Sequence, residues 1–147
     1  SPEGRSATEV AIRHPLAMAG NSDAGAHLSS YCGADYPTRL LSQYVPAALS
    51  LEAAVASLTL RTAEAWGIRD RGALRPGYWA DLALFDPSAL RAGAAHWRAD
   101  FPAGAGRFVV DASGYAATVV NGVVLLRDGR HTGAMPGRIL RSRREAR

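Results

Sequence analysis

Residues 16–27 read LAMAGNSDAGAH. An apolar run from Leu16 to Ala19 gives way to Gly20 and Asn21, and then Ser22, Asp23 and His27 follow. That order predicts a buried parallel strand over residues 16–23 whose carboxyl end carries a carboxylate to the rim of a sheet or barrel. Active sites in α/β architectures gather at such rims, so Asp23 is a stronger catalytic candidate than an aspartate on an open surface.

The chain on either side fits an α/β repeat. Residues 1–14 place Ala7, Val10 and Ala11 at weakly helical spacing, and His14-Pro15 closes that segment before the expected strand. After Asp23 comes a Gly/Ser/Tyr-rich loop to Pro37, of a length that is often functional, and then an apolar helical run over residues 38–45 stopped by Pro46. Ser50 is placed to cap a further helix, in which Leu51, Ala54, Val55 and Leu58 share one face. A short helical turn over residues 62–66 ends at Gly67.

Near residue 70 the pattern changes. Turn signals at Gly72, Pro76-Gly77, Asp86-Pro87, Gly104, Gly114, Asn121-Gly122 and Asp128-Gly129 separate short β-prone runs. Residues 118–126, TVVNGVVLL, predict a hairpin, because Asn-Gly suits the two positive φ angles of a type I′ turn. Residues 80–85 predict a buried strand. Residues 92–106 show no period and are expected to form a loop across the sheet. The chain has no internal repeat.

Composition narrows the possible roles. With 48% hydrophobic and 20% charged residues the sequence is of ordinary globular type. It has no run of 18 apolar residues, which points away from a membrane span. The single cysteine, Cys32, excludes an internal disulfide and fits a reducing, cytoplasmic setting. All 17 basic residues are arginines, so no lysine is available for a carbamate bridge or a Schiff base. The net charge of +4 lies in residues 138–147, while residues 1–137 balance twelve arginines with twelve acids, which argues for a solvated tail and against a nucleic-acid face.

Four ordered motifs carry a family resemblance: GNSDAGAHL from residue 20, LTLRTAEAWGI from 58, RGALRPGYWADLALFD from 71 and VVNGVVLLRDGRHTGAMPGR from 119. Together they resemble the C-terminal quarter of amidohydrolase-superfamily enzymes, in the branch of the D-aminoacylases, or N-acyl-D-amino-acid deacylases. The resemblance implies an α/β fold class. Residues 1–70 would be the last strand and outer helices of a metal-dependent (β/α)8 barrel, residues 71–140 the C-terminal strands of a composite β-sandwich, and residues 141–147 a basic tail. It also implies one or two zinc ions in the complete enzyme and a small N-acyl amino acid as substrate.

By this resemblance Asp23 is the aspartate of the eighth barrel strand, both a metal contact and the catalytic proton carrier. A carboxylate beside zinc orients the bound water, takes its proton and passes it to the departing amine. His27 matches a histidine of the SD-x-x-x-H pattern and is expected to touch substrate. Arg39, in the run YPTRLL, is similar to an arginine that receives the substrate's carboxylate, a task suited to a guanidinium fork. Asp81 is expected to be structural, and Asp86, His96 and His131 to be loop or surface groups.

The chain departs from the family in its ligands. A zinc hydrolase needs three or four, yet the four histidines (14, 27, 96 and 131) include no His-x-His pair. The sequence therefore reads as the C-terminal piece of an amidohydrolase, inactive alone, whose partner is the N-terminal barrel segment. Two alternatives stay open: an amidohydrolase of cyclic amides, and a non-catalytic binding or assembly module.

Overall fold

The computed structural model describes residues 2–18, 22 and 33–141. Four helices come first: α1 (Pro2–Arg13), α2 (Tyr36–Gln43), α3 (Leu51–Leu58) and α4 (Leu60–Ala65). Six strands follow: β1 (Leu82–Phe85), β2 (Arg91–Arg98), β3 (Arg107–Ser113), β4 (Tyr115–Val120), β5 (Val123–Arg127) and β6 (Arg130–His131). The division into a helical and a β-rich half is the one expected from composition.

Local chemistry sets the helix limits. The Ser50 hydroxyl accepts a hydrogen bond from the Ala53 amide at 3.1 Å and so caps α3. Glu52 lies in the first turn of that helix, and its carboxyl is held below the usual range, first by a backbone hydrogen bond and then by Ser50. Pro37 opens α2, where its missing N–H costs nothing. Arginines of α1 fasten it to the end of α2 and the segment after it. Arg5 Nη2 donates to the Gln43 carbonyl at 2.9 Å, and Arg13 donates to the carbonyls of Ala47 and Ala48 at 2.8 and 3.1 Å.

The strands form two antiparallel sheets, one of order β1-β4-β5-β6 and a ribbon of β2 and β3. The β4–β5 hairpin turns on Asn121 (φ 51°) and Gly122 (φ 81°), with Val120 opposite Val123, as the Asn-Gly signal predicts. Gly114 (φ 91°) makes the corner where the chain leaves the ribbon for the larger sheet, and a Cβ there would fall 2.6 Å from Leu90 Cα.

The core lies where the halves meet. Leu90 and Ala54 are fully buried and cluster with Leu40 and Leu41, flanked by Ile12, Tyr44, Phe85 and Tyr115. The leucine just before β2 thus fills the space between α2 and α3. Thr38 is buried beside it, its hydroxyl 2.9 Å from the Tyr115 hydroxyl.

Three expectations need correction. The strand predicted over residues 16–23 is absent from its described part: residues 16–18 form a turn and coil, and Leu16 is 85% exposed. A parallel strand depends on neighbours on both sides, and among the described residues none pairs with it. The expected barrel strand is therefore not seen there. Residues 80–85 do give a strand, β1, but not a buried one, since Leu84 is 46% exposed on a sheet edge. Residues 92–106 contribute most of β2 instead of a loop. Its run of Ala and Gly has weak β-propensity, and an irregularity between Ala92 and Ala95 breaks the alternation that would have shown it.

Candidate active site

Asp23 and His27, the two leading site residues, lie outside the described residues, as does Cys32. Arg39 is described. It stands in the first half of α2 with buried Thr38, Leu40 and Leu41 as neighbours, so that its own side chain is turned outward and 44% exposed. Its Nε donates to Asp35 Oδ2, one helical turn earlier. The Asp35 side chain is only 7% exposed and sits at the start of α2, where the helix dipole favours an anion. The sequence reading missed this partner, although the i, i+4 spacing was a usable signal. Arg39 is thus a guanidinium paired through Nε with Asp35 and partly open to solvent.

The remaining titratable groups take local roles. Asp86 Oδ1 accepts from the amide and hydroxyl of Ser88 at 2.8 and 2.7 Å, which holds its carboxyl below the usual range. His14 Nδ1 accepts from the Leu16 amide at 3.2 Å and His131 Nδ1 from the Gly133 amide at 2.9 Å. His96 Nε2 lies 3.6 Å from Asp111 on the exposed ribbon. Among the described residues no three His, Cys, Asp or Glu side chains gather as metal ligands would. The described residues alone do not make a zinc site.

Asp81 has the structural surroundings expected of it. Its Oδ2 pairs with Arg71 Nη1 and its Oδ1 accepts from the Asn121 amide at 2.7 Å. Arg71 also reaches the Asn121 side chain at 2.7 Å, and Asn121 in turn donates to the Pro136 carbonyl at 2.7 Å. Two guanidiniums lie over the Trp79 ring, Arg71 at 5.2 Å and Arg138 at 5.7 Å from its centre. This network ties the 71–81 segment, the Asn-Gly turn and residues 136–138 together.

A cleft of about 690 Å³ runs between β3 and the β4–β5 hairpin, lined by Val110, Asp111, Tyr115, Thr118, Leu126 and Asp128 among others. It contains none of the predicted site residues. Among the described residues no helix is long and apolar enough to cross a membrane.

The family whose pattern matches residues 3–126 is described as the amidohydrolase family. N-acyl-D-glutamate deacylase from Alcaligenes xylosoxydans xylosoxydans is 39% identical over 106 residues, which cover 71% of this chain and 20% of that protein. N-acyl-D-aspartate deacylase from the same organism is 40% identical over 93 residues, 63% of this chain and 17% of that protein. The crystal structure of D-aminoacylase, said to define a novel subset of amidohydrolases, matches with a TM-score of 0.55 at 33% identity, over 72% of this chain and 21% of that one. A second D-aminoacylase structure, concerned with a binuclear metal centre, matches to the same extent. The chain spans about a fifth of the length of these curated relatives. With 124 of its 147 residues inside the family match, the chain belongs to the amidohydrolase family.

Proposed function

We propose that this chain forms part of a metal-dependent hydrolase that cleaves the amide bond of N-acyl-D-amino acids. The observation that carries this reading is the 39% identity to N-acyl-D-glutamate deacylase over 106 residues, 71% of this chain. In this reading residues 1–70 are the outer helices of a (β/α)8 barrel and the segment that becomes its last strand only against the rest of the barrel, residues 71–140 part of a β-sandwich, and residues 141–147 a basic tail. The metal of the complete enzyme is one or two zinc ions, with Asp23 as a contact. The metal centre of the D-aminoacylase relative supports metal dependence.

Asp23 takes the proton of the attacking water and returns it to the departing amine, His27 touches the substrate, and Arg39 receives its free carboxylate. The fork geometry of a guanidinium makes the last role specific for a planar anion. The 147 residues alone are inactive, because four histidines without a His-x-His pair supply too few ligands. The partner that completes the site is the remaining barrel. The single cysteine supports a cytoplasmic setting.

The test has two arms. The purified chain with zinc is expected to release no amine from N-acetyl-D-amino acids. A chimera of the Alcaligenes N-acyl-D-glutamate deacylase, with the matching 106 residues replaced by those of this chain, is expected to hydrolyse N-acyl-D-glutamate. A chimera that folds, binds zinc and shows no turnover sinks the proposal.

A further inference from the structure

The motif LTLRTAEAWGI has no part in the function proposed above, yet its arginine reaches across the fold. Arg61, in the first turn of α4, donates from Nη2 to the Pro15 carbonyl at 2.6 Å and lies 3.4 Å from the Ala17 carbonyl. These carbonyls are 46 and 44 positions away in sequence. They belong to the turn through which the chain leaves α1 for the segment that holds Asp23, six residues beyond Ala17.

Among the described residues little else fixes that turn. Leu16 is 85% exposed and Met18 46% exposed, so burial contributes little there. The local bonds are Ala17 N–H to the His14 carbonyl at 2.9 Å and Leu16 N–H to His14 Nδ1 at 3.2 Å. On the α1 side, Arg13 is clamped to the carbonyls of Ala47 and Ala48. A guanidinium bonded to carbonyls makes stronger bonds than neutral donors do, and both carbonyls here face the one nitrogen Nη2, whose N–H directions are fixed in the guanidinium plane.

We propose that Arg61 is a positioning residue: by holding the Pro15 and Ala17 carbonyls it fixes the course on which the chain leaves α1 for Asp23. This inference rests on the reading of Asp23 as the proton carrier. It assigns to the motif of residues 58–68 a task at the opposite end of the helical half. A lysine in place of Arg61 keeps the charge and N–H donors, but its freely rotating ammonium lacks the fixed planar direction of the Nη2 hydrogens, so it restores the tether only in part.

Two measurements test it. In the 147-residue chain, Arg61→Ala is expected to speed amide exchange at Leu16 and Ala17 by roughly tenfold or more, with Ala54 in α3 unchanged and Arg61→Lys intermediate. In the chimera, Arg61→Ala is expected to lower kcat by about tenfold with KM within about twofold, and Arg61→Lys to recover part of the loss. Unchanged exchange at Leu16 and Ala17 overturns the tether. Faster exchange with unchanged kcat overturns the positioning role while leaving the hydrolase reading intact. An unmutated chimera without turnover counts against the hydrolase reading and against any positioning role that depends on it, and exchange alone then decides whether the tether exists.

Discussion

Thr38 and Tyr115, 77 positions apart, bring their hydroxyl groups to 2.9 Å and join helix α2 to strand β4. Tyr115 also meets Phe85 edge-on with ring centres 6.0 Å apart, so one side chain links a helix and two strands. The bond is partly buried, and removing one hydroxyl leaves the other in poor contact with water. Tyr115→Phe is expected to cost about 1–2 kcal/mol in urea unfolding with an unchanged slope. In the double variant Thr38→Val with Tyr115→Phe, the cost should be less than the sum of the single changes; full additivity would mean the two hydroxyls are not coupled.

Leu90 is fully buried between the helical and β-rich halves. Leu90→Ala is expected to destabilise the chain by about 2–5 kcal/mol, the range for a large core residue replaced by a small one. The loss should appear in one cooperative transition monitored by both helical and aromatic signals. Separate transitions for the two signals would show that the halves do not share this core.

Gly122 offers a purer measure of backbone conformation. At φ 81° an added Cβ meets nothing within 4 Å, so Gly122→Ala is expected to cost only the left-handed penalty of about 1–2 kcal/mol. Gly114→Ala should cost more, since its Cβ would also collide with the backbone of Leu90 at 2.6 Å. Equal costs at the two positions would argue against the close approach at Gly114.

Arg107 grips Asp100 with two hydrogen bonds of 3.0 and 2.8 Å and holds its carboxyl below the usual aspartate range, first through the side-chain bond. A carboxylate depressed in this way adds stability above its unfolded pKa, and that contribution is lost as pH falls through the lower, folded value. The Asp100 titration midpoint, followed by NMR, is expected to rise in Arg107→Gln and to shift less at high salt. An unmoved midpoint would assign the depression to another cause.

The sequence made the helices and the β4–β5 hairpin legible, because Ser50, Gly67 and Asn121-Gly122 act through short-range chemistry that neighbours cannot easily override. It was less informative where a partner strand decides the outcome. Residues 91–98 are too rich in Ala and Gly to announce a strand, and only pairing with β3 makes them one. Leu16 to Met18 have the apolar character of a strand without a sheet neighbour among the described residues. At the candidate site the motif drew attention to Arg39, and the i, i+4 partner Asp35 could have been read from spacing. The Arg61 contact to residues 15 and 17 spans too much sequence for any local pattern to reveal.

Arg39 also separates two readings of α2. If it receives the substrate's carboxylate, Arg39→Gln in the chimera is expected to raise KM for N-acyl-D-glutamate by about tenfold or more with kcat little changed. If its partner is Asp35 alone, the same change should weaken the helix slightly and leave KM where it was.

Amine release by the chimera carrying residues of this chain, measured with N-acyl-D-glutamate and its L-enantiomer, with and without Asp23→Asn, decides whether this chain completes a D-specific deacylase. Zinc-dependent hydrolysis of the D-substrate is expected, lost by several orders of magnitude in the Asp23 variant while the protein stays folded and metal-bound. Hydrolysis that survives Asp23→Asn, or an unmutated chimera that is folded and zinc-loaded yet inert, would contradict it.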